Sequence, residues 1–267
     1  MVQVTVTDTP VAVQALAPGI RLLVLNRPEA RNALNTAMAA GIIERLAELS
    51  ADRSVRVVVV TGAGDKAFCA GADLKERRGM TPEVWHAQHT VFEAAFAALR
   101  DFPRPIFAAV NGVALGGGCE IALNTDFILC SEGARFGLPE VRLGIMPGGG
   151  GTQHLARRVS RGIALQMLLT GEPIDANAAL RAGLVNAIHP SGDLLDAALR
   201  VAGTIAANSP AAVREVRGAV REGESLATAD AMRVELEHYE RLVDHPDRYE
   251  GIAAWGEKRS PRFEDPE

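Results

Sequence analysis

The chain has little of what a disulfide scaffold, a metalloprotein or a nucleic-acid binder needs. Its 267 residues hold three cysteines, Cys69, Cys119 and Cys130, in apolar company and without CxxC or Cys/His metal spacing. An odd count so placed excludes a disulfide framework and predicts reduced core thiols. His154, His189, His238 and His245 are scattered without ligand spacing, so no metal or redox cofactor is implied. No long basic run appears and the net charge is −5, which argues against nucleic acid as the main partner. Basic residues are missing before Arg21, so the start lacks the charged region of a secretory signal and the Arg-rich character of a transit peptide. The uncharged run Pro105 to Cys119 is interrupted by Asn111 and is too short to span a bilayer. A cytoplasmic protein with no membrane partner is the expectation. Low-complexity segments and a sequence-level repeat are absent as well.

What is present is an ordinary globular composition, 48% hydrophobic and 23% charged, long enough to bury one large core. Val2 to Thr7 and Val11 to Leu16 alternate apolar and polar residues around Asp8-Thr9-Pro10, which predicts an opening strand pair. Ile20 to Asn26 reads as a strand stopped by Arg27-Pro28. Met38, Ile42, Leu46 and Leu49 recur at helical spacing behind a cap at Asn35 or Thr36. Arg56 to Thr61, with its four consecutive valines, suits a strand covered on both faces. A helix over Pro82 to Arg100, a strand over Ile106 to Val110, a short helix after Gly117 and a strand over Phe127 to Cys130 follow. Strands alternating with helices predict an α/β chain. From Leu194 onward Ala-, Arg- and Glu-rich helical patterns dominate, punctuated by Ser209-Pro210 and His245-Pro246. The expected division is a catalytic core over 1–195 and a helical subdomain over 196–267.

The chemistry concentrates in Leu115-Gly116-Gly117-Gly118-Cys119-Glu120 and in Gly137-Leu138-Pro139-Glu140. Glycines leave main-chain N–H groups open to close approach by a ligand oxygen. A second glycine-bearing loop, Thr61 to Leu74, follows the valine strand, where ligand loops of α/β proteins lie. Two loops could hold one developing negative oxygen while two carboxylates move protons beside it. Either loop alone would also be an ordinary turn. Glu120 alone would also complement a helix dipole, and Glu140 would also be a surface charge. No nucleotide fingerprint is present: Gly62-x-Gly64 lacks its third glycine, and no Gly-Lys-Ser/Thr ending occurs.

Asn26 through Leu34, Ala67 through Leu74, Asn111 through Glu120, Phe136 through Glu140, Gly144 through Thr152 and Glu257-Lys258-Arg259 together resemble, in order, the signatures of the enoyl-CoA hydratase/isomerase (crotonase) family. The resemblance implies a crotonase-like spiral of repeated ββα units with a C-terminal helical trimerisation region. It also implies a homotrimer, or a homohexamer made of two trimers, and an acyl-CoA thioester as substrate rather than a cofactor. By correspondence, the N–H groups of Ala72 and Gly117 form an oxyanion hole. Glu120 would deprotonate a water adding to Cβ, and a protonated Glu140 would deliver a proton to Cα. Ala30, Ala70, Asp73 and Leu74 would meet the adenine end of CoA, and Lys258 a CoA phosphate. Glu29 stands where several relatives carry a lysine, with Arg31 as the nearby positive charge.

Gly71 through Met80 also resembles the methylglutaconyl-CoA hydratase branch, which would give Lys75, Arg77 or Arg78 a distal carboxylate to pair with. A Δ3-Δ2 enoyl-CoA isomerase is the alternative within the family. An RNA-binding or scaffold protein that has lost the chemistry is the alternative outside it. Trp85, His86, His89 and Phe92 lie on a predicted helix near the acyl pocket, which they could shape, with core or surface packing as the preferred expectation. The Gly148 to Gly151 loop reads as a helix start near the site, serving pocket packing more than phosphate binding.

Overall fold

Four valines in a row must face two ways, and Val57 to Val60 do. Val58 and Val60 join one apolar layer and Val57 and Val59 another, with all four fully buried. A computed structural model describes residue 4 and residues 8–264. Its strands are β1 (Val11–Ala17), β2 (Ile20–Leu25), β3 (Val57–Gly62), β4 (Ala67–Cys69), β5 (Ile106–Val110), β6 (Val113–Leu115), β7 (Ile128–Ser131), β8 (Arg135–Gly137), β9 (Ile174–Asp175) and β10 (Ala187–His189). One sheet has the order β1-β2-β3-β5-β7-β10, and a second, smaller sheet has the order β4-β6-β8-β9. The first is parallel except for the β1–β2 pair at its edge.

β1 takes β2 as its partner, Val11 opposite Leu25. The expected strand over Val2 to Thr7 lies, residue 4 apart, outside the described residues. The same two-way alternation runs through β2 and β5: Leu23, Leu25, Ile106 and Ala108 face one layer, and Leu22, Val24, Phe107 and Ala109 face the other.

The glycine-bearing segments are more ordered than loops. Each of β3, β5 and β7 turns directly into a three-residue strand, β4, β6 or β8, and these pair in parallel in the same order as their predecessors. A helical segment then follows each: α2 (Leu74–Arg77), α4 (Gly117–Leu123) and a 3-10 turn at Glu140–Leu143. The ββα repeat is therefore real in space and invisible as sequence similarity, because three residues cannot display a period. Successive turns are tied by asparagines. Asn111 donates to the carbonyls of Gly62 and Gly64 at 2.9 and 2.8 Å, and Asn32 donates to those of Ala63 and Ala67, both at 2.9 Å.

Helix α1 (Thr36–Ala51), capped by the Asn35 side chain, packs with α3 (Pro82–Arg100), which starts on a Thr81 cap with proline in its first turn. Both lie with α4 over one face of the large sheet. The chain continues through α5 (Gly151–Arg158), α6 (Arg161–Thr170), α7 (Ala176–Ala182) and α8 (Leu194–Ala206). Leu194, Ala198 and Ala202 of α8 cover the sheet's opposite face, against Leu22, Val59 and Phe107. The 195/196 division thus falls inside a helix that packs on the core sheet. Beyond it, α9 (Pro210–Gly223) and α10 (Thr228–Val243) pack on each other, and α11 (Pro246–Glu257) closes the described chain. Arg217 anchors α9 to the core, donating to both oxygens of Asp126 at 2.7 and 2.9 Å and to the Phe102 carbonyl. Among the described residues no helix is long and apolar enough to cross a membrane.

Close approach decides one glycine in α4. A Cβ on Gly118 would lie 2.0 Å from the Cys69 carbonyl oxygen, a main-chain atom that cannot swing aside. A Cβ on the neighbouring Gly117 would meet nothing of the protein nearer than 3.4 Å. Gly118→Ala should therefore destabilise the fold by about 1–3 kcal/mol or more, lowering Tm by roughly 2–4 °C per kcal/mol. Gly117→Ala should leave Tm near wild type in the same thermal melts; equal losses in both would contradict this packing.

Candidate active site

The two glycine-bearing segments converge on a cavity of about 620 Å³. On one side, the residue after Gly71 is held by a short bridge to Leu34. The Leu34 N–H donates to the Gly71 carbonyl and the Asp73 N–H donates to the Leu34 carbonyl, both at 2.8 Å. That parallel pairing uses the groups flanking Ala72 and leaves the Ala72 N–H without a main-chain acceptor among the described residues. On the other side, Gly117 is the first residue of α4, whose N–H has no partner within the helix. A Cβ on Gly117 would stand 3.9 Å from the Ala72 nitrogen, so the two open N–H groups bracket one spot on the cavity wall.

Glu120 follows in the first turn of α4 and is 3% exposed. Its Oε1 accepts from the N–H of Gly149 at 2.6 Å and of Gly151 at 2.9 Å. Gly151 opens α5, so a helix start receives this carboxylate. Burial pushes the Glu120 carboxyl above its usual range, while the Gly151 and Gly149 donors and the Arg77 charge pull the other way. Glu140 is 8% exposed, and its Oε2 is buried with no hydrogen-bond partner. Burial, with the negative Glu120 adding to it, raises Glu140 to about 7 against the pull of its own main-chain N–H. The two acids are wired differently. Glu120 has two donors that favour its ionised form, and Glu140 has the environment of a neutral acid.

A family model described as enoyl-CoA hydratase/isomerase matches residues 16–266. The chain belongs to the enoyl-CoA hydratase/isomerase family. Among its relatives, the 2,3-dehydroadipyl-CoA hydratase of Escherichia coli (strain K12) is 42% identical, over 91% of this chain and 94% of that one. The short-chain-enoyl-CoA hydratase of Clostridium acetobutylicum is 39% identical, over 90% and 92%. The crystal structure of an enoyl-CoA hydratase from Bacillus anthracis superposes with a TM-score of 0.94 at 38% identity, covering 96% of this chain and 99% of that one. The repeated ββα spiral is thus the fold of this enoyl-CoA hydratase/isomerase family member.

Of the residues singled out from sequence, Ala70, Ala72, Leu74, Gly117, Glu120 and Glu140 line the one cavity. Ala30, Asp73 and Lys258 do not. Ala30 ends a 3-10 turn at Pro28–Ala30. Asp73 caps α2 and pairs with Arg27 at 3.0 Å. Lys258 is exposed in the left-handed conformation that ends α11. Trp85, His89 and Phe92, expected to serve packing, line the cavity, while His86 is exposed. The Gly148 to Gly151 loop receives the Glu120 carboxyl group, with the N–H groups of Gly149 and Gly151 donating to its Oε1. Asn124 sets that loop, donating to the carbonyls of Gly149 and Glu120, both at 2.8 Å. The glycine run is legible as a helix start near the site, but the bonds of Gly149 and Gly151 to Glu120 and the part of Asn124 escape a sequence reading, since no acid stands beside the run. Among the described residues no cluster of His, Cys, Asp and Glu is disposed to hold a metal ion.

The raised Glu140 has a consequence for stability. Its folded pKa of about 7 exceeds the ordinary 4.5, so the fold favours the neutral form. That contribution is complete below about pH 4.5 and is lost as pH rises through about 7. Glu140→Gln stays neutral throughout. Its Tm should gain on wild type by several degrees between pH 5 and pH 8, in melts at constant ionic strength. A constant gap across that range would show that Glu140 is not buried as a neutral acid.

Proposed function

We propose that this enzyme is an enoyl-CoA hydratase, adding water reversibly across the C2=C3 bond of an enoyl-CoA thioester. One observation carries the reading: two buried glutamates of opposite wiring share a cavity with two open main-chain N–H groups. In the proposed step Glu120 takes a proton from water as the oxygen bonds to Cβ. The C=C electrons move onto the thioester oxygen, held as an enolate by the N–H groups of Ala72 and Gly117. Loss of one such donor typically costs about 3–4 kcal/mol of transition-state stabilisation. The enolate then collapses, and Cα takes the proton of Glu140. Each turnover leaves Glu120 protonated and Glu140 ionised, and one proton passed back from Glu120 to Glu140 restores the pair. This chemistry asks for no cofactor, because main-chain dipoles supply the electrophilic stabilisation.

CoA binding by Ala30, Ala70, Asp73, Leu74 and Lys258 belongs to the same proposal. Lys258 is exposed and off the cavity wall, which favours a CoA phosphate reached across a subunit boundary. A homotrimer or homohexamer is supported by apolar side chains left exposed on the terminal helices: Val216 and Val220 on α9, Met232 and Leu236 on α10, and Trp255 on α11, which is 84% exposed. Light scattering should give three or six times the chain mass; a monomer would end this part of the proposal. A cytoplasmic setting is supported by three buried free thiols, which a reducing compartment keeps unpaired.

The test is incubation of crotonyl-CoA in ¹⁸O-labelled water with mass detection, which separates hydration from the mass-neutral isomerase alternative. Glu120→Gln and Glu140→Gln should each lower hydration by about 10²-fold or more while remaining folded. Wild-type kcat/KM for hydration should fall above about pH 7, as Glu140 loses its proton. Near-normal turnover in either variant would overturn the assignment.

A further inference from the structure

One cation in the cavity has more hydrogen-bonding capacity than the protein uses. Arg77 ends the short helix α2, is half-buried and lines the cavity beside Trp85 and Phe92. Its guanidinium carbon stands 4.2 Å from the Trp85 ring centroid and 5.1 Å from that of Phe92. Its Nε donates to Oε1 of Gln88 at 2.9 Å. Gln88, 4% exposed, is itself fully engaged, its Nε2 donating to Oε2 of Glu76 at 2.7 Å and to Oγ1 of Thr36 at 2.9 Å. Glu76 is occupied in turn by Gln88 and by the Thr36 N–H at 3.0 Å. Among the described residues no carboxylate forms an ion pair with Arg77, and its two terminal nitrogens have no acceptor.

The fork is thus oriented by Gln88, stacked on two rings, and left with its bidentate edge free. Glu76 and Glu120 act on this half-buried cation only through space, so it is held at a desolvation cost, which an incoming carboxylate would offset through two parallel charge-assisted hydrogen bonds. Lys75 and Arg78, the other basic residues of this segment, are exposed and lie off the cavity wall.

We propose that Arg77 makes this cavity selective for acyl-CoA esters whose acyl chain ends in a carboxylate. The proposal rests on the acyl-CoA reading of the cavity but not on the hydration step. Arg77 selects the ester by its far end; a different role, keeping Glu120 ionised through space, would act on every ester alike.

Titration calorimetry of the full chain with unreactive, saturated esters separates these outcomes. Matched pairs of equal length serve as probes: glutaryl- against pentanoyl-CoA, adipyl- against hexanoyl-CoA and suberyl- against octanoyl-CoA. For at least one length the carboxylate-ended ester should bind about tenfold tighter or better. Arg77→Gln should abolish that preference while the methyl-ended partner keeps its Kd within about threefold, and Arg77→Lys should fall between. Wild-type preference for the methyl-ended ester at every length would overturn the proposal, even if no variant folds. So would an equal loss for both esters in Arg77→Gln. Failure to hydrate crotonyl-CoA would count against the hydratase reading and leave these binding results standing.

Discussion

The contact between the Glu120 carboxylate and the main-chain N–H groups at the start of α5 governs much else in this molecule. A carboxylate 3% exposed survives in an apolar interior only when hydrogen-bonded. Gly149 and Gly151 supply those bonds with no side-chain cation in contact. The arrangement fixes α4 against α5, places Asn124 across the loop between them, and leaves Glu120 able to accept a proton that a tight ion pair would hold off. It also sets the character of Glu140. With Glu120 carrying the negative charge, the second carboxyl is pushed further toward its neutral form.

The fold delivers these groups by repetition. Each long parallel strand runs into a short one and then into a helical segment, so each repeat presents a fresh chain turn at the same end of the sheet. The turn after β4 offers the Ala72 N–H, the turn after β6 offers Gly117 and Glu120, and the turn after β8 offers Glu140. Three successive repeats thus assemble two open main-chain donors and two carboxyl groups around one volume. Gly118 is the geometric condition for it, since only a bare α-carbon lets α4 approach the Cys69 carbonyl of the preceding repeat.

Much of this was legible in the residues. The bounds of α3 follow from Thr81-Pro82 at its start, and the two-faced burial of β3 follows from its valines. The gathering of Ala72, Gly117, Glu120 and Glu140 on one cavity follows from a motif order spread over nearly the whole chain. What escaped was either too short or too distant. Three-residue strands carry no period, so β4, β6 and β8 read as loops. The bond from Gly149 to Glu120 spans 29 positions and joins a glycine to a carboxylate with nothing in either neighbourhood to announce the pairing. Gln88 is similar: a single polar residue on the buried face of α3, whose partners Arg77, Glu76 and Thr36 come from two other elements.

Gln88 also explains how one cavity keeps two opposite charges apart. Arg77 lies close enough to Glu120 to favour its ionised form, yet a direct ion pair would tie up that carboxylate and lower its proton affinity further. By holding Nε, Gln88 aims the guanidinium along Trp85 and Phe92 instead of toward Glu120. The cation then acts on Glu120 only through space, and the terminal edge of its guanidinium stays free. A neutral chain leaves that edge unsatisfied, whereas an anionic terminus satisfies it without displacing the donors of Glu120, which are the main-chain N–H groups of Gly149 and Gly151. Under the proposed function the group that recognises is separate from the groups that react, so selectivity at Arg77 can change without disturbing the proposed acid–base pair.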